Sequence, residues 1–226
     1  MYKYAVVAAG GAGLRMNTSL PKQFLLLQGK PVLWHTLTAF LTAFNDLQVI
    51  LVLPAPYLEM GASITATVSD PHRIQITTGG GTRFQSVKNG LKLIEKESVV
   101  FVHDGVRCLV TPGLIKRCYE TAVEKGNAVP ATKAIDSVRI ETGNENRIID
   151  RNHVRMIQTP QTFLAELLLL AFDQEYNEVF TDEAGVVEKM GVKINLVEGE
   201  TTNIKVTRPI DLLIAGKILE ERSFYP

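Results

Sequence analysis

Short apolar runs alternate along the chain with stretches whose apolar residues recur at three- and four-residue spacing. The runs predict strands at Tyr4–Ala8, Val49–Leu53, Ile74–Thr77, Val99–Val102, Ala128–Pro130 and Ile194–Val197. The helical spacing falls between them, at Val32–Phe44, Arg83–Ile94, Pro112–Glu124 and Thr181–Met190, and again after Pro209, where Leu212, Leu213, Ala215 and Ile218 share a face. "VILVL" and "VVFV" are apolar at every position, as strands covered by helices on both faces must be. The expected fold is α/β: a doubly wound, mainly parallel, Rossmann-like sheet, with its ligand crevice beyond the carboxyl ends of the strands. Phe163–Phe172, interrupted by Glu166, reads as a core helix too short to span a bilayer.

One segment breaks the rhythm. In "KAIDSVRIETGNENRIIDR" (133–151) two alternating runs, Ile135–Ile140 and Arg147–Asp150, flank a Gly/Asn turn and predict a protruding β-hairpin arm. Spacing alone leaves open whether the arm folds back or reaches a partner subunit. With no repeat, linker or low-complexity tract, residues 1–226 read as one domain with an excursion at 133–151.

Composition narrows the function. Lys+Arg and Asp+Glu balance at 24 each, so no net field draws the protein to nucleic acid or to a membrane. Any cation used on a ligand is therefore local. The N-terminus enters a strand without a basic or apolar leader, so a cytoplasmic protein is expected. Cys108 and Cys118 lack metal-site spacing and read as buried thiols in a reducing compartment. His35, His72, His103 and His153 form no ligand set and read as structural or solvent-exposed.

The chemistry concentrates after the first strand, in "AVVAAGGAGLRM" and the "PKQ" that follows. Gly11 and Gly13 could open a dinucleotide fingerprint, but Met16 occupies the place of its third glycine. A Walker loop fails as well, because Leu14 and Arg15 follow Gly13 in place of Lys and Ser/Thr. What remains is a glycine turn whose freed N–H groups can surround a triphosphate, with Arg15 and Lys22 adding charge. A second turn, "GGGTRFQS", opens a helix at Arg83; capping by Thr82 is an alternative reason for it, though not for three glycines. Asp104 ends an apolar strand, where a ligand-facing carboxylate or a helix N-cap are both open readings. Lys205, between Ile204 and Val206, reads as a strand residue that by itself would face solvent.

"AAGGAGLRM…PKQF" resembles the signature loop of the sugar- and polyol-phosphate nucleotidyltransferases. "GGGTRFQSV", "VHDGVR", "DRN", "TPQTF", "TDEA", "VEG" and "NIKVTRP" follow in the order and spacing of its 2-C-methyl-D-erythritol 4-phosphate cytidylyltransferase branch. The ribitol-5-phosphate cytidylyltransferases share the fold and loop, but "TDEA" and the "NIKVTRP" ending are more similar to the methylerythritol branch. A nucleotide-binding regulator without chemistry would be expected to lack Arg15, Lys22 or Lys205, and all three are present. The resemblance implies transfer of a cytidylyl group from CTP to methylerythritol 4-phosphate in the non-mevalonate isoprenoid pathway. It implies catalytic roles for Arg15, Lys22, Lys205 and Arg151. It implies CTP contacts from Ala8, Ala9, Gly10, Gly11, Gly13, Arg15, Lys22, Gly80, Arg83, Ser86 and Asp104, with backbone near Ala8–Gly10 and the Ser86 hydroxyl reading the cytosine. Arg107, Asp136, Ser137, Arg151, Thr159, Thr181 and Lys205 would hold the methylerythritol phosphate, although for Arg107 a salt bridge with Asp104 is the alternative. Asp104 would support Mg²⁺ or another divalent cation. Arg151 would cross from a second subunit on the arm, giving a homodimer with composite sites. This chain departs from the usual Asp-Ala-Ala-Arg-Pro of the family at Gly105, Val106 and Cys108, which puts the local turn in question. Since the chain ends just after its last helix, the fused second enzyme of some relatives is not expected.

Overall fold

The side chains of three central strands alternate between two apolar clusters, and this alternation builds the whole molecule. The computed structural model describes residues 1–11, 20–95 and 97–224. In chain order its strands and helices are β1 (Tyr2–Ala8), β2 (Leu26–Leu27), β3 (Lys30–Pro31), α1 (Val32–Ala43), β4 (Leu47–Leu53), α2 (Leu58–Thr65), β5 (Ile74–Thr78), α3 (Arg83–Leu91), β6 (Ser98–Asp104), α4 (Pro112–Lys125) and β7 (Asn127–Lys133). There follow β8 (Val138–Thr142), β9 (Glu145–Ile149), β10 (Arg155–Ile157), β11 (Gln161–Leu164), α5 (Ala165–Phe172), α6 (Glu183–Glu188), β12 (Leu196–Glu198) and α7 (Pro209–Phe224).

The main sheet has the order β10-β7-β11-β6-β1-β4-β5, with β12 beside β7. Strands β6, β1, β4 and β5 run parallel, while β11 lies antiparallel between β6 and β7. Ala5 and Val7, Val49 and Leu51, and Val99 and Phe101 face one side, against Leu33, Leu37 and Phe40 of α1 and Leu114, Ile115 and Cys118 of α4. Val6, Ile50, Val52, Val100 and Val102 face the other, against α3, α5 and α6. Burial on both faces is what the unbroken apolar strands predict. Local signals agree: Thr111 caps α4 by accepting from the Leu114 N–H (3.0 Å), and Gly126 ends it at φ 87°, a conformation that suits glycine.

Several sequence expectations need correction. Phe163 and Leu164 belong to β11, so the expected helix Phe163–Phe172 begins only at Ala165. The strand expected at Ile194–Val197 is shifted to Leu196–Glu198. Lys205 is not on a strand. Residues 203–207 form a loop tied to the Val106 carbonyl by the Val206 N–H (3.0 Å). The hairpin is present as β8 and β9, turning at Gly143, with its first strand shifted from the expected Ile135–Ile140 to Val138–Thr142; Ile140 and Ile148 on it, and Ile135 just before it, are exposed.

Candidate active site

At the carboxyl ends of the parallel strands, Ala8 lies level with both Val52 and Asp104. The chain leaving β1 is pinned there at Ala9. The Ala9 N–H donates to the Val52 carbonyl (3.0 Å), and the Ala9 carbonyl accepts from Gln23 Nε2 (2.8 Å). The Gly105 N–H donates to the Ala8 carbonyl (2.9 Å), and a Cβ at Gly105 would stand 2.9 Å from Ala9 Cβ. That close approach gives Gly105 a steric reason. The second turn follows β5. Thr82 and Gln85 form a reciprocal capping box at the start of α3. The Gly80 N–H donates to Ser86 Oγ (3.0 Å), whose own hydrogen goes to the Thr82 carbonyl (2.9 Å). Capping therefore occurs, but it does not explain the glycines: a Cβ at Gly79 would meet Ser86 Oγ at 2.9 Å, and one at Gly80 would meet Gln85 Cβ at 2.5 Å. The two turns enclose a cleft of about 450 Å³ lined by Ala8, Ala9, Gly10, Gly11, Lys22, Gly80, Arg83, Ser86, Asp104 and Lys205, among others.

Asp104 is the hub of the floor. Arg83 lies 3.3 Å from Oδ1, while Oδ2 meets Lys205 Nζ at 2.9 Å and Arg107 Nε at 3.7 Å. Arg83 also forms a two-pronged bond with Glu183, which is only 1% exposed. Three cations thus face two carboxylates, leaving the cluster positive. Burial by itself would push the Asp104 carboxyl up, but Arg83, Lys205 and Arg107 outweigh it and hold the group well below its ordinary value. Burial raises the Glu183 carboxyl against the opposing pull of Arg83. It lowers the Arg107 guanidinium despite the nearby Asp104. Beyond the hub opens a second cleft of about 150 Å³, lined by Arg107, Thr159 and Thr181 and sharing Arg83, Asp104 and Lys205 with the first. Arg107 is fixed by donating to the Asn203 carbonyl (2.8 Å).

The expected residues therefore fall into three groups. Those anticipated for the nucleotide, apart from two, line the larger cleft. Arg107, Thr159 and Thr181 line the smaller one, and Lys205 stands at the junction. Asp136 and Ser137 line a further cavity of about 1200 Å³ at the base of the arm, which meets the smaller cleft at Gln158 and where Arg151 donates to the Ile135 carbonyl. Gly13 and Arg15 lie outside the described residues. Thr111, not Asp104, caps α4, and Arg107 does pair with Asp104. The questioned turn is regular, with the Arg107 N–H donating to the Asp104 carbonyl (2.9 Å) and Cys108 buried among Leu27, Val32, Val106 and Val206. Both thiols are free and buried, and burial pushes each up to about 12. Glu183 and Gln23 are contributors that the motifs contained without revealing a role. His103 is structural as read, but its partners were not legible. Among the described residues no helix is long and apolar enough to cross a membrane, and no group of three or more His, Cys, Asp or Glu is placed to hold a metal.

A mainly parallel α/β sheet whose strand ends carry Gly10, Gly11 and a second glycine turn beside a cation-rich hub is the architecture of a nucleotidyltransferase, and known structures agree. The chain resembles a 4-diphosphocytidyl-2C-methyl-D-erythritol synthase from Anaerococcus prevotii with a TM-score of 0.83 and 27% identity, covering 97% of this chain and 96% of that one. It resembles the Thermus thermophilus 2-C-methyl-D-erythritol 4-phosphate cytidylyltransferase with a TM-score of 0.73 and 30% identity, over 95% and 98% of the two chains. The Bacteroides fragilis protein of that name is 44% identical over 219 residues, 97% of this chain and all of the relative. The family model for IspD, 2-C-methyl-D-erythritol 4-phosphate cytidylyltransferase, matches residues 3–221. The chain belongs to this family, and it is a cytidylyltransferase.

Proposed function

We propose that the larger cleft holds CTP, the smaller one holds methylerythritol 4-phosphate, and the shared hub of Arg83, Asp104 and Lys205 marks where they react. The reaction of the family is cytidylyl transfer in the non-mevalonate isoprenoid pathway. The observation that carries the assignment of residues is the sharing itself: two clefts of different size meet at one charged cluster. A phosphate oxygen of the polyol forms a bond to the α-phosphorus of CTP, and the bond to the bridging oxygen breaks, so that pyrophosphate leaves with the electron pair. The nucleophile is already an anion, so no general base is required. The obstacle is repulsion between phosphates, and positioning plus charge neutralisation lower it. Lys22, only 8% exposed, and Lys205 both line the larger cleft and supply charge there, and the resemblance adds Arg15 as a third cation.

Magnesium suits this donor set. Asp104 is the carboxylate shared by both clefts; Arg83 donates twice to Oδ1 and Lys205 once to Oδ2, so of about four lone-pair sites one on Oδ2 is left for a further interaction. Magnesium favours such single carboxylates together with phosphate oxygens and water. When bound it would supply further neutralisation of the triphosphate.

In our reading the molecule is one nucleotidyltransferase domain in a cytoplasmic homodimer, the arm being its dimerisation element. Asp136, Ser137 and Arg151 do not line the smaller cleft, and this together with the exposed isoleucines of the arm supports a site completed by the arm of a second copy. The test is pyrophosphate release from CTP, UTP, ATP and GTP, each with methylerythritol 4-phosphate and with ribitol 5-phosphate. The pair CTP and methylerythritol 4-phosphate is expected to react fastest. Preference for ribitol 5-phosphate would overturn the assignment of the smaller cleft.

A further inference from the structure

His103 is the penultimate residue of β6, fully buried, with Phe40 edge-on to its ring at 5.0 Å. It touches no cleft, yet its two nitrogens determine what a neighbouring hydroxyl can offer. Nε2 lies 3.1 Å from the Arg107 carbonyl oxygen. A carbonyl only accepts, so Nε2 carries the hydrogen, and in a neutral ring Nδ1 then carries the lone pair. Thr159 Oγ1 lies 3.0 Å from Nδ1, so the threonine hydroxyl donates to the histidine. The Asp104 N–H in turn donates to the same oxygen, at 3.1 Å. The Thr159 hydroxyl has thus spent its hydrogen and one lone pair on the scaffold, and one lone pair remains.

We infer that His103 is a positioning residue that makes Thr159 an acceptor toward the smaller cleft, so that Thr159 reads a donor hydroxyl of the polyol chain and not a phosphate oxygen. A phosphate oxyanion has only lone pairs to present and gains nothing from another. The anionic end of the substrate is left to Arg107 and Lys205, which line the same cleft. An imidazolium would reverse the polarity by donating from both nitrogens, but the ring is fully buried against Phe40 with only a carbonyl and a hydroxyl at its nitrogens, and a charge without a carboxylate partner is disfavoured there.

The inference rests on the proposed occupant of the smaller cleft, and its test separates the two. Methylerythritol 4-phosphate and three analogues, each with one free hydroxyl replaced by fluorine, are compared by KM and kcat; fluorine occupies similar space but cannot donate. In the native protein one analogue is expected to show a KM raised about 10-fold, the loss of one buried hydrogen bond, with kcat little changed. Thr159→Val should erase that difference and Thr159→Ser should keep it. His103→Leu, which removes the acceptor, should narrow it, whereas His103→Asn, whose amide oxygen can replace Nδ1, should retain it. Circular dichroism establishes that each variant is folded, and the Thr159 pair decides the question should His103→Leu fail to fold. No discrimination by the native protein, discrimination that survives Thr159→Val, or an equal KM increase for all four substrates in His103→Leu would overturn the inference while leaving turnover of the parent substrate intact. No turnover of the parent by the native protein would overturn the activity assignment and this inference with it.

Discussion

Acidification from pH 7 to pH 5 should destabilise the protein through His103 by a predictable amount. The ring is fully buried and neutral; burial moves its pKa from 6.5 to about 3, against a smaller opposing pull from Asp104. In the unfolded chain the ring accepts a proton below about pH 6.5, while the folded protein refuses it until about pH 3. Below pH 6.5 the unfolded state therefore binds more protons, and stability falls as pH falls through that window. Between pH 7 and pH 5 the loss from this one group is about 2 kcal/mol, and it approaches about 1.4 kcal/mol per pH unit lower in the window. Urea unfolding of the native protein and of His103→Leu at both pH values isolates it, because other groups contribute nearly equally to the two. The native protein should lose about 2 kcal/mol more than the variant. Equal losses would refute the reasoning and place the imidazolium in the folded state.

Other perturbations test other joints of the account. Lys22→Ala should lower kcat by on the order of 10²–10³ with the fold retained, as for loss of one transition-state contact; near-native turnover removes Lys22 from the mechanism. Heterodimers of an Arg151→Ala subunit with a Lys22→Ala subunit should regain one competent site if Arg151 acts across the interface, and verified heterodimers without recovery defeat the composite site. Glu183→Gln removes one partner of a buried pair, and since Arg83 is 30% exposed and keeps Asp104, a loss of about 3 kcal/mol is expected. That corresponds to roughly 6–12 °C in Tm, read by calorimetry; an unchanged Tm would show that the pair does not stabilise the fold.

The parallel core was legible because burial on both faces leaves the middle of the central strands apolar, and helices between them keep their periodicity. The glycine turns were legible as glycine runs directly after strands, and at Gly80 a Cβ would stand 2.5 Å from Gln85 Cβ, which leaves little choice of residue. The switch from β11 to α5 was not. "FLAELLLLAF" is apolar at every position but Glu166, with no turn residue between Leu164 and Ala165, so strand and helix merge into one run. Ile204 and Val206 mimic strand alternation around Lys205, although the segment is held by hydrogen bonds to a neighbouring loop. Contacts between distant residues were hidden altogether. Glu183 meets Arg83 across 100 positions and His103 meets Thr159 across 56, and no local pattern marks such pairs. The motif "TDEA" contained the right carboxylate, but its purpose exists only where α3 and α6 come together.

The most direct measurement is a crystal structure of the protein with CTP and methylerythritol 4-phosphate, trapped with a Lys22→Ala variant. The cytosine is expected between Gly10, Gly80 and Ser86, the polyol against Thr159 and Thr181, and the α-phosphate beside Lys205. A nucleotide seated in the smaller cleft, or a polyol phosphate away from the Asp104 hub, would contradict this assignment.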